Sequence, residues 1–125
     1  KSQDDKDNTF KYVDRYQEFR LNITYDIDNQ GNICYKLNDQ LIIKDTGRKL
    51  EVIRNTDDNI KLTLDLALTK FGTKLELTGT TEFRQRVVEL AVKNNYKVEF
   101  IDEQSRLYYA KISNARIINT KTISR

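Results

Sequence analysis

The sequence contains no histidine, no proline, no methionine and no tryptophan, and a single cysteine among 125 residues. Without histidine there is no histidine-based catalytic triad, and with one thiol the usual zinc sites fall away too. Lone Cys34 cannot close an internal disulfide, which points to a reducing, cytoplasmic setting. No apolar run approaches the roughly 18 residues a membrane-spanning helix needs. The opening stretch, KSQDDKDNTF, is polar and mixed in charge, unlike a secretory signal. A chain that starts at Lys1 and holds no methionine reads as a piece of a longer protein. Nucleotide binding through G-x-x-x-x-G-K-[ST] is excluded because the motif is absent. The acidic residues form no spaced cluster that would hold magnesium, so no metal and no cofactor are expected. Asn22-Ile23-Thr24 matches a glycosylation sequon, but in a cytoplasmic strand it is a chance match.

What is present describes a well-solvated globular chain. It is 38% hydrophobic and 33% charged, and its length suits one domain with a single core. Residues 1–17 read as a linker or N-terminal arm, with helical spacing of Phe10, Val13 and Tyr16. From Glu18 to Ile27 the apolar residues Phe19, Leu21, Ile23, Tyr25 and Ile27 alternate with polar ones, the pattern of a half-buried strand. Asp28–Gly31 turns the chain into a second strand bearing Ile33, Tyr35 and Leu37. Asn38-Asp39 turns it into Leu41–Lys44, and Asp45–Arg48 into Lys49–Arg54. This is an antiparallel meander.

Thr56 or Asp57 caps a helix whose apolar stripe is Ile60, Leu64, Ala67, Leu68 and Phe71, with Gly72 placed to stop it. Leu75 and Leu77 then alternate as a strand, broken by Thr78-Gly79-Thr80. From Phe83 the spacing turns helical through Val87, Leu90 and Ala91; Asn94-Asn95 ends it, and Val98 and Phe100 resume period 2. Strand, helix and strand at such short connections form a right-handed βαβ unit with parallel strands. Asp102 caps a third helix over roughly Glu103–Ser113, with Tyr108, Ile112 and Ala115 in register; a strand at Leu107–Ile112 paired on Lys97–Ile101 is the alternative. The fold class is α+β, a meander followed by a helix and a βαβ unit with helices packed on the sheet. The single domain spans 18–113, and 114–125 is a basic C-terminal tail.

The net charge of +3 is small, but its distribution is uneven. After Glu103 there is no acidic residue, while Arg106, Lys111, Arg116, Lys121 and Arg125 follow. They form either a solvated helix face with a frayed tail or a phosphate-contacting strip. Arg84, Arg86 and Lys93 on the core helix add to the candidate nucleic-acid contacts. The Gly79 turn could present amides to a phosphate, yet it holds one glycine, and Glu82 already answers the helix dipole; capping by Thr80 is the stronger reading. Asp45 reads as a turn residue bonding to the Thr46–Gly47 backbone, and Asp65 as a solvent-facing helix residue. Tyr25 and Tyr35 read as a cross-strand packing pair. Tyr108-Tyr109 beside Arg106 and Lys111 is where aromatic and basic residues interleave, with packing preferred there as well.

The order of landmarks resembles a known family. Lys44-Asp45-Thr46-Gly47 precedes a strand; Leu64, Ala67 and Lys70-Phe71-Gly72 close a helix; Leu77-Thr78-Gly79-Thr80, Glu82-Phe83, Val87, Ala91 and Val98 follow. This is similar to a large polyvalent-protein-associated domain of the kind found C-terminally in conjugative relaxases and mobilisation proteins. In that family an Asp-x-Gly turn, here Asp45 to Gly47, follows the meander, and a Gly-Ser/Thr-x-Glu-Phe turn, here from Gly79 and Thr80, opens the second helix. The likeness covers Phe19 to Ile101. The family continues as a charged helix, where this chain is β-branched and basic from Ala115 to Arg125. The resemblance implies a non-catalytic accessory module, because nicking belongs to a separate histidine- and tyrosine-bearing domain. It implies contact with transferred DNA, or recruitment of the relaxase to the coupling protein of a type IV secretion system. No membrane and no small-molecule substrate enter. The setting implied is the bacterial cytoplasm, with translocation alongside the parent protein. The alternative is a purely structural protein–protein interaction module of a mobile-element or phage polyprotein.

Overall fold

The computed structural model describes the backbone of residues 15–124 and the side chains of residues 15–114. The chain divides into two compact units, Lys1–Arg54 and Asn55–Arg125. In the first, helix α1 (Arg15–Leu21) leads into strands β1 (Ile23–Ile27), β2 (Ile33–Leu37), β3 (Gln40–Asp45) and β4 (Leu50–Val52). They form one antiparallel sheet in the order β1-β2-β3-β4, the expected meander.

Three turn chemistries set its registers. Asp28 accepts from the amides of Gln30 and Asn32, and Gly31 supplies a φ of 83°. Asn38 and Asp39 both take positive φ, 52° and 64°, as a two-residue hairpin loop with the strands' right-handed twist demands. In the third turn Gly47, at φ 93°, donates its amide to the Asp45 carboxylate at 2.8 Å. Tyr25, Tyr35, Ile43 and Val52 align across the sheet. The register shift between Tyr35 and Lys36 inserts Ile42 as an extra residue on β3, so the neighbours Ile42 and Ile43 are both buried.

The strand expected from Glu18 is instead helical to Leu21. Tyr16 and Phe19, three residues apart, stack at 5.9 Å, and Asn22 closes the turn by donating its amide to Phe19 O and its side chain to Glu18 O. Only Ile23–Ile27 is strand, and four of its five residues are exposed rather than half-buried. The readings at Phe10 and Val13, and most of the arm 1–17, lie outside the described residues.

The second unit holds α2 (Asp57–Phe71), β5 (Lys74–Leu75), α3 (Thr81–Lys93), β6 (Glu99–Phe100) and α4 (Glu103–Ser124). Thr56 caps α2 by accepting from the Asn59 amide, and Gly72 ends it at φ 87°. Thr80 caps α3 by accepting from Phe83 N at 3.0 Å. The far end of α3 closes with Asn95 at φ 59°, its amide on Val92 O and the Tyr96 amide on Ala91 O, a Schellman pattern with asparagine where glycine is usual.

Strands β5 and β6 are parallel, with Leu75 opposite Phe100, so β5-α3-β6 is the expected βαβ unit. Both strands are shorter than their alternation implies, because Leu77 N turns to the Asp102 carboxylate instead of extending the ladder. α3 lies between α2 and α4, while α2 covers β5 and α4 covers β6. Val88 and Ala91 at full burial, with Ile60, Leu64, Val87 and Phe100, form this unit's core. Phe71, expected in the stripe, is 41% exposed at the helix end. The alternative strand at Leu107–Ile112 is overturned: that stretch is helical, and the helix continues past Ser113 to Ser124.

Candidate nucleic-acid interface

The C-terminal helix is set in place by one carboxylate. Asp102 follows β6 and precedes α4, and its Oδ2 accepts from the Ser105 amide and hydroxyl while Oδ1 accepts from Leu77 N at 2.8 Å. Burial alone would raise this carboxyl's pKa. The hydrogen bonds from Ser105 and Leu77 outweigh it and hold the group below its ordinary value. Ser105 is fully buried beneath it. Arg84 completes the knot from α3: Nε donates to Leu77 O and lies 3.4 Å from Asp102, and Nη1 donates to Gly79 O and Gln104 Oε1.

Further along α4, Tyr109 packs its ring 5.8 Å from Phe100, and Tyr108 donates its hydroxyl to Glu89 on α3. That bond to Glu89 raises the Tyr108 pKa by favouring the protonated phenol. Tyr109 therefore serves packing, the preferred sequence reading, while Tyr108 is held by its hydroxyl at the groove between the two helices.

The candidate cations separate into two groups. Arg84 is inside the Asp102 knot. Arg86 donates Nε to Asp57 at 2.7 Å, tying α3 to the first turn of α2 across an exposed ion pair. Lys93 stands exposed in the last turn of α3. Arg106 and Lys111 are exposed on α4, and the same helix carries Arg116 and Lys121 in its backbone path. Arg125 lies outside the described residues. Successive α4 cations are five residues apart, a step of about 140° around a helix. They therefore wind round α4 rather than line one stripe. The helix has 22 residues, about 33 Å at 1.5 Å per residue.

Between α3 and α4 lies an open groove of about 340 Å³, lined among others by Thr81, Gln85, Gln104, Leu107, Tyr108 and Lys111. The Gly79 turn is closed: Thr80 caps the helix, and the Gly79 carbonyl is held by Arg84. Asp45 sits in its turn as expected, and Asp65 is half-buried rather than solvent-facing. Among the described residues, no group of three or more cysteine and acidic side chains converges on a possible metal position. No helix among them is long and apolar enough to cross a membrane.

Sequence reasoning missed the second job of Asp102. Its place as a helix cap was legible, but nothing local tells that the same carboxylate reaches Leu77, twenty-five positions earlier.

Comparison with known proteins adds the following. The family described as large polyvalent protein-associated domain 7 matches residues 20–112. A segment of Protein TraI from Escherichia coli is 31% identical over 81 residues, 64% of this chain and 11% of that protein. A second Escherichia coli Protein TraI is 27% identical over 77 residues, 61% of this chain and 10% of its own length. The chain thus spans about a tenth of the relatives it matches. No solved structure matches it.

Proposed function

Because the chain belongs to the large polyvalent protein-associated domain 7 family, we propose that it is a non-catalytic accessory domain of a conjugative relaxase, and that α4 contacts the transferred DNA. The observation that carries this reading is the helix itself. Arg106, Lys111, Arg116 and Lys121 occupy one continuous helix on which no acidic residue follows Glu103. A helix in the major groove has phosphates on both flanks. Cations stepped round the axis reach both sides, where a single stripe would reach one. The contact is to phosphate and therefore insensitive to sequence, which suits DNA that is carried whatever its sequence. Work in the cytoplasm, with passage alongside the parent protein, follows from the same reading. Arg84 and Arg86 hold the scaffold in this account, and α4 with Lys93 meets the nucleic acid.

Fluorescence anisotropy with single- and double-stranded oligonucleotides over a salt series tests it. Each phosphate contact steepens log K against log salt by about 0.9 on duplex and about 0.7 on single strands. The expected result is micromolar binding with a duplex slope of roughly 3 or more. Neutralising Arg106, Lys111, Arg116 and Lys121 together should flatten it. Absence of binding at low salt would remove DNA and turn attention to the coupling protein of the secretion system.

A further inference from the structure

The free edge of β1 is self-complementary, and we propose that two copies of this chain pair through it, antiparallel about a two-fold axis at Tyr25. Strand β1 is the outermost in its sheet, paired with β2 on one side and with no described strand on the other. Four of its five residues are open to solvent, all but half-buried Ile23, with Tyr25 at 67% and Ile27 at 65% exposure. Proteins usually blunt such an edge with lysine, proline or a bulge. Ile23–Ile27 has none of these, and its only charge, Asp26, is neutralised within the sheet by Lys36 at 2.8 Å.

The hydrogen-bond parity of the sheet fixes which backbone groups point outward. Asp28 N donates to Asn32 O, so the pairs Asp26–Cys34 and Thr24–Lys36, at even steps from it, are the hydrogen-bonded ones. The groups of Ile23, Tyr25 and Ile27 therefore face the free edge. A two-fold axis at Tyr25 sets Tyr25 opposite Tyr25 and Ile23 opposite Ile27, so all three outward residues exchange bonds at once. The same register puts Asp26 opposite Thr24. Moving the axis one residue on, to Asp26, would oppose two carboxylates, and moving it one back, to Thr24, would leave Ile27 unpaired. Ile23, Tyr25 and Ile27 also share one face, so pairing joins two apolar edges into one. Two five-residue strands make a small interface, so association should be concentration-dependent in the micromolar range.

Sedimentation velocity of the full chain across a concentration series, with hydrogen exchange at the Ile23, Tyr25 and Ile27 amides, tests the proposal. The expected result is a monomer–dimer equilibrium in which those amides gain protection as concentration rises. Tyr25→Lys should abolish the dimer with the circular dichroism spectrum unchanged. Thr24→Asp reads the register. Within the monomer it faces Lys36 and keeps the fold, but across the axis it meets the partner's Asp26 twice and should weaken association roughly fivefold, recovering in high salt. A monomer at every concentration overturns the proposal. Amides already protected in that monomer would mean the chain's own segment covers the edge, and unprotected ones that it serves another protein. A dimer indifferent to both Tyr25→Lys and Thr24→Asp overturns it equally.

Discussion

At Asp102 one carboxylate serves both the start of α4 and, through the Leu77 amide, the segment that leaves β5. It caps α4 through Ser105 and anchors Leu77 with 13% of its side chain exposed. Asp102→Ala strands the Leu77 amide and the Ser105 hydroxyl, and leaves Arg84 without its anion, so unfolding in urea should show a loss of about 2–4 kcal/mol. The pH dependence follows from the direction of its pKa. The folded carboxyl titrates below the unfolded one, so between the two values the unfolded chain binds more protons. Its contribution is complete above the unfolded value, about 3.9, and is lost as pH falls through the lower folded value. Asp102→Asn should flatten that acid limb of the stability profile. Gly79 is a second residue with a geometric reason. At φ 120° any Cβ is strained, and one built there lies 3.4 Å from the Phe83 ring. Gly79→Ala should cost roughly 1–2 kcal/mol by thermal or chemical unfolding.

Among the elements, α3 has the most explicit local signals. Thr80 caps it, Glu82 sits in its first turn, and Asn95 closes it. Thr80→Ala should lower stability by about 1 kcal/mol, measured by urea unfolding, because the Phe83 amide loses its acceptor. β5 and β6 show the opposite case. Leu75, Leu77, Val98 and Phe100 alternate over longer stretches than the ladder uses, because Asp102 intercepts the Leu77 amide. α1 is the element that pattern alone misassigned. Phe19 and Leu21 continue the alternation of Ile23, Tyr25 and Ile27, and period 2 over two residues cannot be told from an i, i+3 aromatic pair until Tyr16 and Phe19 are seen to stack.

For the whole molecule the deciding quantity is where charge collects, since the net of +3 is too small to direct binding by itself. On the proposed reading the cations of α4 engage phosphate while Asp57 of α2 stays with Arg86 and Glu89 of α3 with Tyr108. Binding to the folded state alone stabilises it by mass action. Duplex at a hundred times its dissociation constant should raise the unfolding free energy by about 2.7 kcal/mol, followed by thermal shift at low salt. The gain should vanish as salt is raised. A shift unchanged by salt would refute phosphate contact by α4.

The sequence alone determined the meander, the helix after it and the βαβ unit. Each rests on local physics: positive-φ turn residues at Gly31, Asn38 and Gly47, caps at Thr56 and Thr80, and a change of apolar period from two to helical at Phe83. The basic run after Glu103 was equally plain, because charge order is a property of the chain. Tertiary structure decided the rest. Arg84 and Lys111 look alike in sequence, yet Arg84 is bound into the Asp102 knot and Lys111 stands exposed on the groove between α3 and α4. The length of α4 and the open edge of β1 were decided there too. Partners so distant along the chain are chosen by packing, and neither composition nor periodicity encodes which group they will meet.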